Sequence, residues 1–162
     1  MNKTVSCRNI NDEREDVAVS ELYFRPSVYG VVIKDGKVLL SPQFGDGYDI
    51  PGGGVDLGEP LEEAVIREVQ EETGITVKVD KVLIVENDFF THPGTGRHMH
   101  SVLIYYLCDY VSGEISTDGF DEHEKEYAEE AVWVLIGEVD TLKFYNPINS
   151  ADLIKNAYKL VS

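Results

Sequence analysis

Three carboxylates are placed to do chemistry together. Glu68, Glu71 and Glu72 lie in the run Arg67-Glu68-Val69-Gln70-Glu71-Glu72-Thr73-Gly74-Ile75. On an α-helix, positions i, i+3 and i+4 share one face. Negative charges at that spacing repel one another and weaken the helix unless a counter-charge sits among them. A divalent cation is such a counter-charge. Hard cations such as Mg²⁺ take carboxylate oxygens and keep positions open for water and for substrate phosphates. Spacing alone leaves open the alternative of an acidic helix face turned to water.

The residues upstream favour the cation. Gly53 is followed after five residues by Glu59, and Glu59 after seven by Arg67-Glu68, then Val69, Glu71-Glu72, Gly74 and Ile75. From Gly53 to Ile75 this is the pattern of the Nudix box, and the chain resembles a Nudix hydrolase. The resemblance implies an α/β fold, specifically an α/β/α sandwich around a mixed β-sheet. It implies water-driven cleavage of a diphosphate linked to a further group X, with Mg²⁺ as cofactor and Mn²⁺ as an alternative. It also implies the site residues. Glu68, Arg67 and Glu71 carry catalysis; Gly53, Glu68, Glu71 and Glu72 hold metal; Glu59, Gly52 and Gly54 support them. Arg67 orients the carboxylates. Family members differ in which carboxylate is the base, and Glu68 is the first choice here for ligand or base.

The elements that must position these residues can be read locally. Ile50-Pro51-Gly52-Gly53-Gly54 is expected to end a strand and enter a tight loop, whose glycines let the backbone approach a ligand closely. Their carbonyls can reach a metal and their amides a phosphate. Gly58-Glu59-Pro60 reads as a helix entry, since proline's missing amide costs nothing in the first turn. Leu61, Ala64, Val65 and Val69 form the apolar stripe, and Gly74 caps the end in the left-handed conformation. Strands are expected over 28–33 and 37–40 around an Asp35-Gly36 hairpin, one or two over 76–90, a buried one over 101–110 and another over 131–136 with Trp133. A second helix spans 150–161, capped by Asn149 or Ser150. Residues 27–162 make the Nudix domain. Residues 1–26 precede its usual first strand as an extension, either an added strand or a loose arm.

Composition bounds the partners. The 162 residues suit one domain, and 43% apolar content fills its core. A net charge of −16, from 30 acids and 14 bases, argues against a nucleic-acid polymer, which needs a basic surface. It does not argue against a small phosphorylated substrate, because a bound metal reverses the local field. Cys7 and Cys108 lack metal-site spacing and read as reduced thiols. With no apolar signal core and no membrane-length segment, a cytoplasmic protein is expected. A homodimer stays open.

Three further features carry alternatives. His92, His98 and His100 surround a Gly- and Pro-containing loop; a hairpin with incidental histidines is favoured over zinc, and Arg97 with one histidine is a candidate phosphate contact. Glu122, Glu124 and Glu126 precede Trp133 within an acidic run, where Nudix enzymes often recruit an extra carboxylate; the sequence does not choose among them. Tyr48 either stacks on substrate or packs. The group X is also open: a modified nucleoside triphosphate, ADP-ribose and a nucleotide sugar all fit. The competing reading is a catalytically silent Nudix domain that senses a nucleotide or binds a partner. Its mark would be loss of box carboxylates, and all are present.

Overall fold

The computed structural model describes residues 3–162. Its centre is a pair of long strands, β3 (Leu22–Lys34) and β8 (His98–Ser112), which run parallel from Leu22↔His98 to Val32↔Cys108. Strand side chains alternate between faces, and β3 shows the result. Val28 and Val32 join one buried cluster; Val31 joins another on the opposite face, with Ile33 packed against it.

Helix α1 (Leu61–Thr73) covers the first face. Its stripe places Ala64, Val65 and Val69 against Val28 and Val32, all fully buried. Burial on this scale contributes about 1.5–3 kcal/mol per valine-sized side chain. The helix sits close because Gly30 has no side chain: a Cβ there would lie 2.8 Å from Val69 Cγ2. Gly74 ends the helix at φ 79°, and its N–H donates to the Gln70 carbonyl at 2.9 Å. Helix α3 (Ser150–Val161) covers the other face through Leu153, Ile154 and Ala157, packed with Val31, Leu103, Tyr105 and Leu107. Asn149 caps it, its side chain accepting from the Asp152 amide at 3.0 Å. The result is an α/β/α sandwich.

The sheet is mixed and has nine strands among the described residues. Strand β7 (Thr76–Thr91) pairs antiparallel with β8, and β4 (Lys37–Gln43) with β3. Asp35 and Gly36 make the β3–β4 turn with φ 51° and 72°, the left-handed pair a two-residue hairpin needs. Strand β9 (Val132–Leu135) and the short β5 (Gly47–Asp49) flank β4. A brief helix α2 (Glu124–Tyr127) precedes β9.

Several expectations change. The first central strand begins at Leu22 rather than residue 28, although Pro26 lies inside it; its carbonyl still accepts from the Val55 amide at 3.0 Å. The segment after α1, expected as one or two strands, is one strand whose register shifts near Thr76, Val79 and Val82. The expected glycine loop is instead a strand, β6 (Gly52–Gly54), paired with Ser27, Val28 and Tyr29 of β3. Of the 1–26 extension, residues 1 and 2 lie outside the described residues. Residues 4–18 form a hairpin of β1 (Thr4–Arg8) and β2 (Arg14–Ala18), added to the sheet where Arg8 meets Phe90 of β7 in parallel register, and residues 22–26 belong to β3. The Arg8 guanidinium clamps the Asp88 carboxylate with two hydrogen bonds, at 3.0 and 2.8 Å. Cys7 and Cys108 are buried free thiols. No helix among the described residues is long and apolar enough to cross a membrane.

Candidate active site

The side of α1 turned away from its apolar stripe is organised by one guanidinium. Arg67 Nε and Nη2 donate to the two oxygens of Glu59 at 2.7 and 2.9 Å. Nη2 also donates to the Gly54 carbonyl at 3.0 Å; Nη1 donates to Glu68 at 2.9 Å and Glu71 at 3.2 Å. The planar fork of arginine fits this multiple grip, and a lysine ammonium would not. The fork holds the Glu59 carboxyl down to about pKa 2. Glu59 therefore acts as a fixed anion steering Arg67.

A second group forms beside it. One carboxylate oxygen each from Glu68, Glu72 and Glu124 lies within 4.8 Å of the others. Glu72 is oriented by the Ser41 hydroxyl at 3.1 Å and the Gly52 amide at 3.3 Å. Glu124 arrives from the distant α2 loop. Asp121 fixes that loop: its carboxylate accepts the amides of His123 and Glu124, and its own amide donates to Glu124 at 2.9 Å. Burial pushes the Glu72 carboxyl well above the ordinary range, with Glu68 and Glu124 adding to the rise. Burial also raises Glu68 and Glu124. Of the three converging carboxylates, Arg67 bonds to Glu68. An all-oxygen donor set of this kind fits a hard divalent cation. Gly53 fits as well, because a Cβ there would stand 2.6 Å from the Glu68 carboxylate, so only glycine brings backbone this near the group.

These residues close one end of a cleft of ≈ 680 Å³. Strand β3 shows where it opens. Val31 and Ile33 belong with the α3-side core, Tyr29 stands at the border, and Ser27 and Arg25 line the cleft. Asp88 and Phe90 of β7 continue the wall with His92 just beyond the strand, and Arg8 from the added hairpin reaches in.

The expected site residues divide accordingly. Arg67, Glu68, Glu71, Glu72, Gly52 and Gly53 line the cleft, with Glu59 and Gly54 bonded to Arg67 behind them. Glu71 stands outside the group of three converging carboxylates, held by Arg67; Glu124 takes that place. Glu126 lines the cleft. Glu122 is exposed and bonded to Lys125 at 2.9 Å, away from the cleft. Tyr48 packs against the α3-side core, because alternation along β5 turns it one way and its neighbour Asp49 toward the cleft. Arg97 does not line the cleft; its guanidinium lies over the Tyr23 ring at 4.8 Å. The histidines separate: His92 stacks on His123 at the cleft mouth, whereas His100 stacks on Phe89. Sequence reasoning missed Arg8, Arg25, Asp49, Asp88, Phe44, Tyr145 and Asn146. Only Asp49 had a local signal: once Tyr48 is taken as packing, its strand neighbour must face the other way.

The comparisons with known proteins agree with this geometry. The NUDIX domain family model matches residues 23–156. An ADP-ribose pyrophosphatase of Methanocaldococcus jannaschii is 35% identical over 121 residues, covering 71% of this chain and 69% of that protein. The NAD-capped RNA hydrolase NudC of Photobacterium profundum is 32% identical over 120 residues, 72% of this chain but 40% of its own length. Among solved structures, an ADP-ribose pyrophosphatase from Streptococcus suis superposes with a TM-score of 0.63 at 18% identity, covering 85% of this chain and 91% of that one. The chain belongs to the NUDIX family and is a Nudix-type diphosphohydrolase.

Proposed function

We propose that this protein hydrolyses the diphosphate linkage of a nucleoside diphosphate derivative, with ADP-ribose the foremost substrate and Mg²⁺ or Mn²⁺ as cofactor. The observation that carries this reading is the convergence of Glu68, Glu72 and Glu124 beside Gly53 at one end of a cleft large enough for a nucleotide. The choice of ADP-ribose is supported by the Methanocaldococcus relative, which this chain matches over most of its length. A UDP-X diphosphatase of similar fold keeps nucleotide sugars in the same substrate class. A net charge of −16 weighs against an RNA chain as substrate, despite the NudC relatives.

A divalent cation bound at the three carboxylates would offset phosphate charge and lower the pKa of the attacking water. The chain's own residues do the rest. Glu68, Glu72 and Glu124 hold the donor oxygens, and Arg67 fixes Glu68 and Glu71 in place through its anchor on Glu59. Water adds to one phosphorus and the bridging P–O bond breaks. A carboxylate takes the water's proton, Glu68 or Glu124 being the candidates. Arg25 lines the cleft near Gly54 and offers a fixed positive charge to a phosphate.

The test is product analysis with ADP-ribose, NAD, UDP-sugars and nucleoside triphosphates, each with Mg²⁺, Mn²⁺ or EDTA. Metal-dependent formation of AMP and ribose 5-phosphate from ADP-ribose is the expected result. Binding without hydrolysis across the panel would support the silent sensor instead.

A further inference from the structure

We propose that Asp49 reads the base of the substrate: its buried carboxylate oxygen accepts a hydrogen bond from the exocyclic amino group of a nucleobase lying in the cleft. The proposal rests on the nucleotide reading above and names the group that the rest of the cleft selects.

Three buried side-chain atoms among the described residues have no hydrogen-bond partner: Asp49 Oδ1, Tyr105 Oη and Ser150 Oγ. Of these residues, only Asp49 lines the cleft. A buried polar atom left unpaired costs about 1–3 kcal/mol, and more when charged. Such groups are rare in folded proteins and call for an explanation. A missing ligand donor supplies one.

The surroundings narrow the donor. Phe44 and Tyr145 line the same cleft and meet edge to face at 5.0 Å, offering aromatic surface to a planar group. Arg8 is the cation that acts most strongly on Asp49, and it is clamped by Asp88, so its charge is already matched. A region holding two carboxylates and one matched guanidinium repels a phosphate. It suits a neutral group with a donor for Asp49 and an acceptor for the remaining Arg8 N–H groups. An amino-bearing base such as adenine presents both on one edge. Burial pushes the Asp49 carboxyl up to about 7, as expected of a group held from water.

The experiment compares AMP with purine riboside 5′-monophosphate, which differs only in lacking the amino group. Calorimetry measures binding of both to the wild type, Asp49→Ala and Asp49→Asn, so no turnover is required. The wild type should bind AMP at least about tenfold more tightly than the analogue, the scale of one hydrogen bond to a charged group. Asp49→Ala should bind both equally weakly, and Asp49→Asn, which keeps an acceptor oxygen, should retain part of the preference. With ADP-ribose the loss should fall on KM rather than kcat. Equal affinity of the wild type for the two ligands, no binding of AMP, or an unchanged preference in Asp49→Ala overturns the assignment. Absence of ADP-ribose hydrolysis alongside an Asp49-dependent preference for AMP would refute the hydrolytic reading and leave this one standing.

Discussion

Glu124 and Glu72 bring carboxylate oxygens within 4.8 Å of each other, although one opens α2 and the other lies in the last turn of α1. Two half-buried acids do not approach without reason, and Glu124 adds to the cost of ionising Glu72. The contact makes the loop before β9 part of the site. Glu124→Gln should lower kcat by about 10²–10⁴, the range for a lost base or ligand. Glu122→Gln, whose side chain is exposed and bonded to Lys125, should stay near the wild-type rate. Steady-state rates at saturating substrate separate them, and equal rates would remove Glu124 from the chemistry.

Adjacent glycines should fail in different ways. A Cβ at Gly52 would lie 2.1 Å from the Val28 carbonyl oxygen and 2.7 Å from the Tyr29 Cα, both rigid backbone. At Gly53 it would meet the end of the Glu68 side chain, which can swing aside. Gly52→Ala should therefore cost stability, by about 1–3 kcal/mol. Gly53→Ala should keep its melting temperature and lose activity, because Glu68 can no longer sit beside the backbone. Thermal melts and rates on the same preparations decide it; matching losses of stability in both variants would contradict the distinction.

The added hairpin should be worth measuring through its clamp. Asp88 keeps 8% of its side-chain surface exposed, and Arg8 supplies both of its charged partners' bonds. Arg8→Ala would leave a nearly buried carboxylate alone, which costs about 3 kcal/mol or more. A double change, Arg8→Leu with Asp88→Leu, should recover much of that loss. Chemical denaturation provides the check, and a neutral Arg8→Ala would show that the hairpin rests on the sheet without depending on the pair.

What the sequence disclosed follows from how local each feature is. Arg67, Glu68, Glu71 and Glu72 lie on one helix, so their spacing already contains their geometry. The Asp35-Gly36 turn, the Gly74 cap and α3 with its Asn149 cap are local for the same reason. The opposite wall of the cleft was not legible. Arg25, Asp88 and Arg8 meet only because β3, β8, β7 and β1 lie side by side, and strand order is not written in any one segment. The choice of Glu124 over its neighbours had the same cause: all three acids precede Trp133, and only the folded loop brings one of them to Glu68 and Glu72. Strand β6 was hidden because three glycines read as a turn when no neighbouring strand is in view.

Without metal, the protein should lose stability as pH rises through the weakly acidic range. The Glu68, Glu72 and Glu124 carboxyls lie above their ordinary value of 4.5, chiefly through burial, and Asp49 is raised from 3.8 to about 7. Above the unfolded-state values the folded protein holds protons that the unfolded chain has released, so stability falls with pH; for Asp49 the window runs from 3.8 to about 7. Glu59 works in the opposite direction. Its carboxyl is held near 2 by Arg67, so its contribution is complete above 4.5 and is lost as pH falls toward 2. The melting temperature in EDTA should therefore decline from about pH 5 to pH 8. Added Mg²⁺ binds the ionised carboxylates of the folded state, and its stabilisation grows with the fraction ionised. The Mg²⁺-induced rise in melting temperature should be small at the acidic end and largest at the alkaline end. A rise that is the same at every pH, or a metal-free protein that grows more stable toward pH 8, would show that these carboxylates do not share a cation site.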